Sequence, residues 1–364
     1  MRLQELKPTF VVSALLAIVL AVSPAGMAQD HQHHQHHHSA VPEMGPDGKR
    51  LVSYEVKHDM NAETMALLRT KIAVYRGLTD RELNMNMSAM GPNYEWYASD
   101  SATQGDIGIL VLSHGVGENS DRMLIEALKP ISSDMPTAVG FGMAMMKSSQ
   151  LQSAVDDLTK RGAKKIIVVP NGTTTPYNSL SRQWKFIFDL GEEATYLEVP
   201  KVRSGATFHM TEDFSDSPLI TDILYDHVKE VSKNPVNEFV MIIGHGPEDN
   251  EDNVFDLDIL NAHVERIKAK NEFADVKIWN LQDDALVPIR KSNVKRIRRW
   301  IKKAKDSGQD VIVVAIAAAS HGVQTHIRQD LRGLDYTFAD KGMAEHPKYI
   351  QWMRSVIDEK IASL

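Results

Sequence analysis

Histidine followed by glycine occurs twice in this chain at the end of an apolar run. Ile107–Gly115 reads IGILVLSHG and Phe239–Gly246 reads FVMIIGHG. The first runs into VGENSD and the second into PEDNEDN. A neutral imidazole ligates first-row metals and also accepts a proton near pH 7, so His114 and His245 are candidates for both tasks. A second cluster, Ala319-Ser-His321-Gly-Val-Gln-Thr-His326-Ile-Arg-Gln-Asp330, follows another apolar run. It places His326 where it can converge with His245. The corresponding loop of the first half, Asn171–Tyr177, holds no histidine.

These side chains need a frame. Short apolar runs bounded by glycine read as buried parallel strands. Ligands of open α/β sheets sit just beyond the carboxyl ends of such strands. The first half continues with a strand at Thr137–Phe141, a helix around Ser149–Arg161 and a strand at Ile166–Pro170. The second continues with Asp275–Trp279, a helix around Pro288–Lys305 and Val311–Ala315. Further strands are expected at Ala194–Val199 and Asp335–Ala339, with closing helices at Pro218–Ser232 and Pro347–Ala362. Strands alternating with helices predict two similar Rossmann-like α/β domains, each a parallel sheet flanked by helices, facing one cleft. The expected division is 1–28 leader, 29–100 extension, 101–234 first domain and 235–364 second domain. Within the extension, Asn61–Tyr75 has helical spacing, and Met65, Leu68, Ile72 and Tyr75 read as packing residues. The Met-rich stretch Asn84–Met90 reads as packing too, since flexible thioethers fill core gaps.

Composition sets the bounds. The chain has 364 residues, 43% of them hydrophobic, and a net charge of −7. That suffices for two cores and gives no reason to expect a nucleic-acid partner. There is no cysteine, so disulfides, thiolate metal sites and lipoprotein attachment are excluded. Arg2 and Lys7, the apolar Phe10–Val22 and the small residues around Gly26-Met-Ala28 read as a cleaved export signal. The expected location is periplasmic or secreted, with no stable membrane insertion after cleavage. The mature chain then opens on a His tract, with His31, His33, His34, His36, His37 and His38. Neutral imidazoles in such a tract capture divalent metals with little selectivity. No P-loop, dinucleotide-binding glycine motif or nucleophile elbow is present.

The strand-plus-His-Gly pattern at His114 and His245 resembles the class II chelatases, the sirohydrochlorin cobaltochelatase and ferrochelatase group. Gly162–Pro170 (GAKKIIVVP) looks like that family's third strand. Gly322, His326 and Asp330 look like its later His motif, and Glu345–Trp352 like its last helix. The resemblance covers the chain from about Ile107 onward. It implies insertion of a divalent metal, Co(II) favoured over Ni, Fe or Zn, into a sirohydrochlorin-type tetrapyrrole, with no organic cofactor. It implies that His245 and His326 hold the metal and accept pyrrole protons. Asp283 is implied as an assisting carboxylate and Asp330 as a partner that orients an imidazole. The spacing from Gly322 to His326 is longer than usual for the family, so His321 competes for that role, and His114 is a further possible ligand. An exported metal or tetrapyrrole carrier without turnover is the alternative. A solute-binding protein for metal uptake is a weaker third reading. Oligomeric state is left open.

Two basic or acidic runs remain. The Pro288–Lys305 helix carries its basic residues opposite an apolar face and reads as a solvated amphipathic helix, or as a contact for an anionic surface. The Glu248–Asp252 run reads as a solvated acidic loop or a hard-cation site.

Overall fold

The computed structural model describes residues 60–88, 95–99, 102–115, 117–320 and 322–364. Residues 1–28, read above as a leader, the His tract and His321 lie outside the described residues. Among those described, no helix is long and apolar enough to cross a membrane.

The chain begins with helices α1 (Ala62–Lys71) and α2 (Asp80–Ser88). Asn61 caps α1, its side chain accepting the Thr64 N–H. The helical spacing of 61–75 resolves into α1 and a short 3-10 turn at Ala73–Gly77. Leu68, Ile72 and Tyr75 are buried as their spacing requires, and so is Met87.

The first half then runs β1 (Tyr97–Ser99), β2 (Ile107–Ser113), α3 (Glu118–Ala127), α4 (Lys129–Ser132), β3 (Thr137–Phe141), α5 (Ser149–Lys160), β4 (Lys165–Asn171), α6 (Ser179–Ile187), β5 (Thr207–Met210) and α7 (Pro218–Val231). The second runs β6 (Glu238–Gly244), α8 (Asn250–Lys268), β7 (Asp275–Asn280), α9 (Val287–Asp306), β8 (Asp310–Ala315), α10 (Val323–Asp330), β9 (Thr337–Ala339) and α11 (Pro347–Ala362). The sheets are ordered β1-β3-β2-β4-β5 and β7-β6-β8-β9. All pairings are parallel except β1 with β3. Leaving β1 aside, the two orders are the same. In both, the His-Gly strand lies between the second and third strands, where the winding reverses. That is where an open α/β sheet makes its ligand crevice.

One expected strand is absent. Ala194–Val199 is irregular, and the fourth parallel strand of the first sheet is Thr207–Met210. Tyr196 and Val199 are buried, which accounts for their apolar signal. Their backbone is satisfied differently: the Tyr196 N–H donates to the Gln183 side chain, and the Leu197 N–H to the Met145 carbonyl.

The closing helices are exchanged. The first half's α7 packs on β8 and β9, while the C-terminal α11 packs on β4 and against α7. One continuous core therefore spans both sheets and includes Val111, Val169, Val240, Ile242 and Val314. Phe214 stands edge-on to Trp352, with ring centroids 4.9 Å apart, and Trp352 is fully buried. Truncating such an aromatic costs about 3–5 kcal/mol, so the exchange fixes how the two sheets meet.

Candidate active site

The repeated His-Gly dipeptides have one geometry. Gly115 and Gly246 adopt φ of +75° and +76°, a region open to glycine and strained for other residues. This turn brings the glycine carbonyl back to the preceding imidazole. His114 Nδ1 lies 2.9 Å from the Gly115 oxygen, and His245 Nδ1 lies 2.8 Å from that of Gly246. A carbonyl only accepts, so each Nδ1 carries the proton, and Nε2 is the lone-pair nitrogen of the neutral ring. Gly246 is also forced by space, because a Cβ there would fall 2.5 Å from the Asn280 Cβ.

The loop after β7 is laid against His245. The N–H groups of Gln282 and Asp283 donate to the His245 carbonyl, at 2.7 and 3.3 Å. Gln282 holds both sides: its amide donates to the carbonyls of Pro247 and Asp249, and its oxygen accepts from Asn293. Asp284 is thereby placed with Oδ2 3.8 Å from His245 Nε2.

The two histidines share this environment and respond oppositely. For His245, burial disfavours the charged ring. The carboxylates of Asp284 and Asp283, with the Gly246 carbonyl, outweigh that and raise its pKa. For His114, burial dominates and lowers the pKa; the Gly115 carbonyl and Asp284 oppose this, and His245 reinforces it. The Asp284 charge acts on both rings and the His245 charge acts on His114, so both halves contribute to one electrostatic environment. The His114 side chain is open to water on one side although protein packs around the rest of it. Neighbouring groups pushed to opposite proton affinities can divide acid and base work.

His326, on α10, joins the site through Asp283. Its Nδ1 is 2.8 Å from Asp283 Oδ2, and Asp283 Oδ1 accepts from Arg290 Nε at 2.8 Å. Asp283 is buried. Burial alone would raise its pKa, but the His326 hydrogen bond and the charges of His245, His326 and Arg290 hold it well below the usual carboxylate range. Among the described residues, Asp330 touches no imidazole. It takes a two-point contact from Arg290, at 3.2 and 2.7 Å, and so positions the arginine that positions Asp283. The order is Asp330, Arg290, Asp283, His326.

The remaining motifs have structural work. Asp249 caps α8, accepting the N–H groups of Glu251 and Asp252, and Asp252 pairs with Arg182. In the loop that lacks histidine, Thr174 and Thr175 donate to the buried Asp256 on α8, tying the halves together. Asn280 donates to Asp256 from the other side. Sequence reasoning missed Asp284, Gln282 and Asn280. It also missed the N-terminal turn that borders the site. The Ala73 N–H donates to Glu248 and the Val74 N–H to the Asp284 carbonyl. The Tyr75 hydroxyl has its pKa raised by burial and by the Asp284 charge. Among the described residues, no group of three or more His, Asp or Glu side chains is arranged to hold a metal ion by itself.

No family model matches the chain, and no curated protein matches it. Solved structures do. SirB from Bacillus subtilis with Fe3+ aligns over 70% of this chain and 96% of its own, with 16% identity and a TM-score of 0.52. DR2241 from Deinococcus radiodurans, described as multi-domain with structural similarity to chelatases, aligns over 69% of this chain and 55% of its own, with 16% identity and a TM-score of 0.43. At such identity the likeness concerns architecture alone. The chain is similar to SirB in fold, here a pair of largely parallel α/β sheets flanked by helices.

Proposed function

We propose that this chain is an exported chelatase that inserts a divalent metal, Co(II) by preference, into a sirohydrochlorin-type tetrapyrrole. One arrangement supports the reading: His245 stands beside Asp284, His326 is bonded to the neighbouring Asp283, and the Asp284 charge also reaches His114 of the other half. Insertion exchanges two pyrrole N–H protons for one metal ion, so the site must offer nitrogen ligands and proton acceptors together. His245 and His114 offer their Nε2 atoms to the metal. The two rings fill part of its coordination shell, and the macrocycle nitrogens supply the rest. His326 faces the site with its Nδ1 proton held by Asp283, so its Nε2 accepts a proton. Asp284 attracts the cation, and its charge is the largest one favouring the protonated His245 ring, which must be neutral when metal binds.

The test is metal insertion by the full chain, mixed with sirohydrochlorin and Co(II) and followed by absorbance against a protein-free control. Acceleration by the wild type that is lost in both His245→Ala and His114→Ala, with thermal stability retained, is the expected result. Tight tetrapyrrole or metal binding without acceleration would replace the enzyme by the carrier. Loss with His245→Ala but not His114→Ala would remove the shared site.

A further inference from the structure

Helix α9 sorts its nine basic residues into two sets. Four have partners: Arg290 pairs with Asp283 and Asp330, and Arg298 donates to the Asp330 carbonyl. Arg296 lies over the Trp279 ring, and Lys305 pairs with Asp310 and Asp335. The other five, Lys291, Lys295, Arg299, Lys302 and Lys303, are all exposed, and none forms an ion pair with a described residue. Residues four apart on a helix stack on one side, so Val287, Lys291, Lys295 and Arg299 form a line, with Lys302 beside it. At 1.5 Å per residue the cationic stripe runs about 18 Å.

This stripe sits on a chain whose net charge is −7, so cations left without carboxylates on one face are not a by-product of composition. Its amino-terminal end is apolar and open. Val287 is 44% exposed and Leu286 is 39% exposed. A row of cations ending in exposed aliphatic side chains matches a lipid surface: anionic head groups meet the charges and the acyl boundary accepts the aliphatics. A soluble polyanion would leave Leu286 and Val287 in water. We infer that α9 docks the protein on an anionic lipid bilayer, lying along the head groups without spanning.

The inference does not depend on the chelatase reading. Vesicle co-sedimentation tests it with the full chain, using phosphatidylcholine vesicles and vesicles that also contain phosphatidylglycerol. The readout is the difference between the two lipids, which apolar partitioning of Phe10–Val22 does not produce. The triple variant Lys295→Gln, Arg299→Gln, Lys302→Gln keeps good helix formers at exposed positions. Each cation near an anionic leaflet changes partitioning by about fivefold, so the triple variant is expected to lose roughly 100-fold of the preference. Salt at ~1 M should abolish the preference as well. Replacing Leu286 and Val287 by Ser should weaken binding to the anionic vesicles further. Equal partitioning to both lipids, or a triple variant that binds like the wild type, would overturn the inference. Retention on heparin with no preference for phosphatidylglycerol would overturn it too and identify a soluble polyanion as the partner.

Discussion

Replacing Asp283 by Asn tests the link between the buried carboxylate and the tautomer of His326. In the wild type, Oδ1 accepts from Arg290 and Oδ2 accepts from His326 Nδ1, both at 2.8 Å. Asn has one oxygen and one amino group in the same volume. Arg290 Nε can only donate, so the Asn oxygen must face it. The amino group then faces His326 Nδ1 and needs a lone pair there, which moves the ring proton to Nε2. That nitrogen can then neither ligate nor accept. Breaking a buried charged pair costs about 3–5 kcal/mol, but Asn keeps one hydrogen bond and Arg290 keeps Asp330. The expected loss is about 2–3 kcal/mol, or about 5 °C in Tm for a chain of this size. The sign with pH follows. The folded pKa of Asp283 is depressed, so its contribution is complete above the unfolded carboxyl value near ~4 and fades as pH falls below it. The Tm gap between wild type and variant should be constant from neutral pH down to about 5 and close in stronger acid. Histidine nitrogen shifts by NMR report the tautomer. An unchanged His326 tautomer, or a Tm gap that does not narrow in acid, would refute the reasoning.

Two other outcomes are expected. Asp284→Asn removes the largest influence raising the His245 pKa, so metal binding, which needs the neutral ring, should set in at lower pH than in wild type; a titration of Co(II) binding against pH reads this directly. Burial lowers the pKa values of both His227 and His263 to about 4. Stability should therefore be complete above about pH 6.5 and fall as pH drops toward 4, by roughly 2 kcal/mol per histidine once water is allowed for. His227 Nδ1 has no hydrogen-bond partner, so His227→Phe should flatten part of that fall in a series of melts across this range without loss at neutral pH.

Much of the frame was legible because parallel strands buried on both faces advertise themselves. Thr137–Phe141 is recovered residue for residue, and so is the helix Pro347–Ala362. Periodicity failed at Ala194–Val199 because burial without strand pairing leaves the same apolar mark. The exchange of α7 and α11 was invisible, since each helix has an apolar stripe that fits either sheet. At the site, His-Gly was readable because glycine is required twice over, by φ and by the closeness of Asn280. Asp284 was not, because adjacent aspartates point in different directions and the sequence does not say which one meets the histidine. Here Asp283 turns inward to Arg290 and His326, while Asp284 turns to His245. A signal for Gln282 did exist in the sequence, a polar residue between a buried strand and a helix, and the structure holds it in a left-handed backbone at φ +55°.

The duplication has not produced two equal sites. After β7 the chain supplies Asp283 and Asp284, whereas after β3 it supplies Met143, Met145 and Met146 around a buried Ala144. After β8 it supplies His326, whereas after β4 it supplies threonines that bind Asp256. Asp283, Asp284 and the extra imidazole belong to the second half, while the first half supplies one imidazole and a methionine-rich loop. This asymmetry is what separates the two proton affinities. If both loops carried aspartates, His114 would hold its proton as His245 does, and neither ring would be ready for a cation. Burial lowers the His114 pKa and so favours its neutral, ligating form, while Asp284 favours the charged form of His245. The chemistry proposed for the cleft needs both states at once, and only unequal halves supply them.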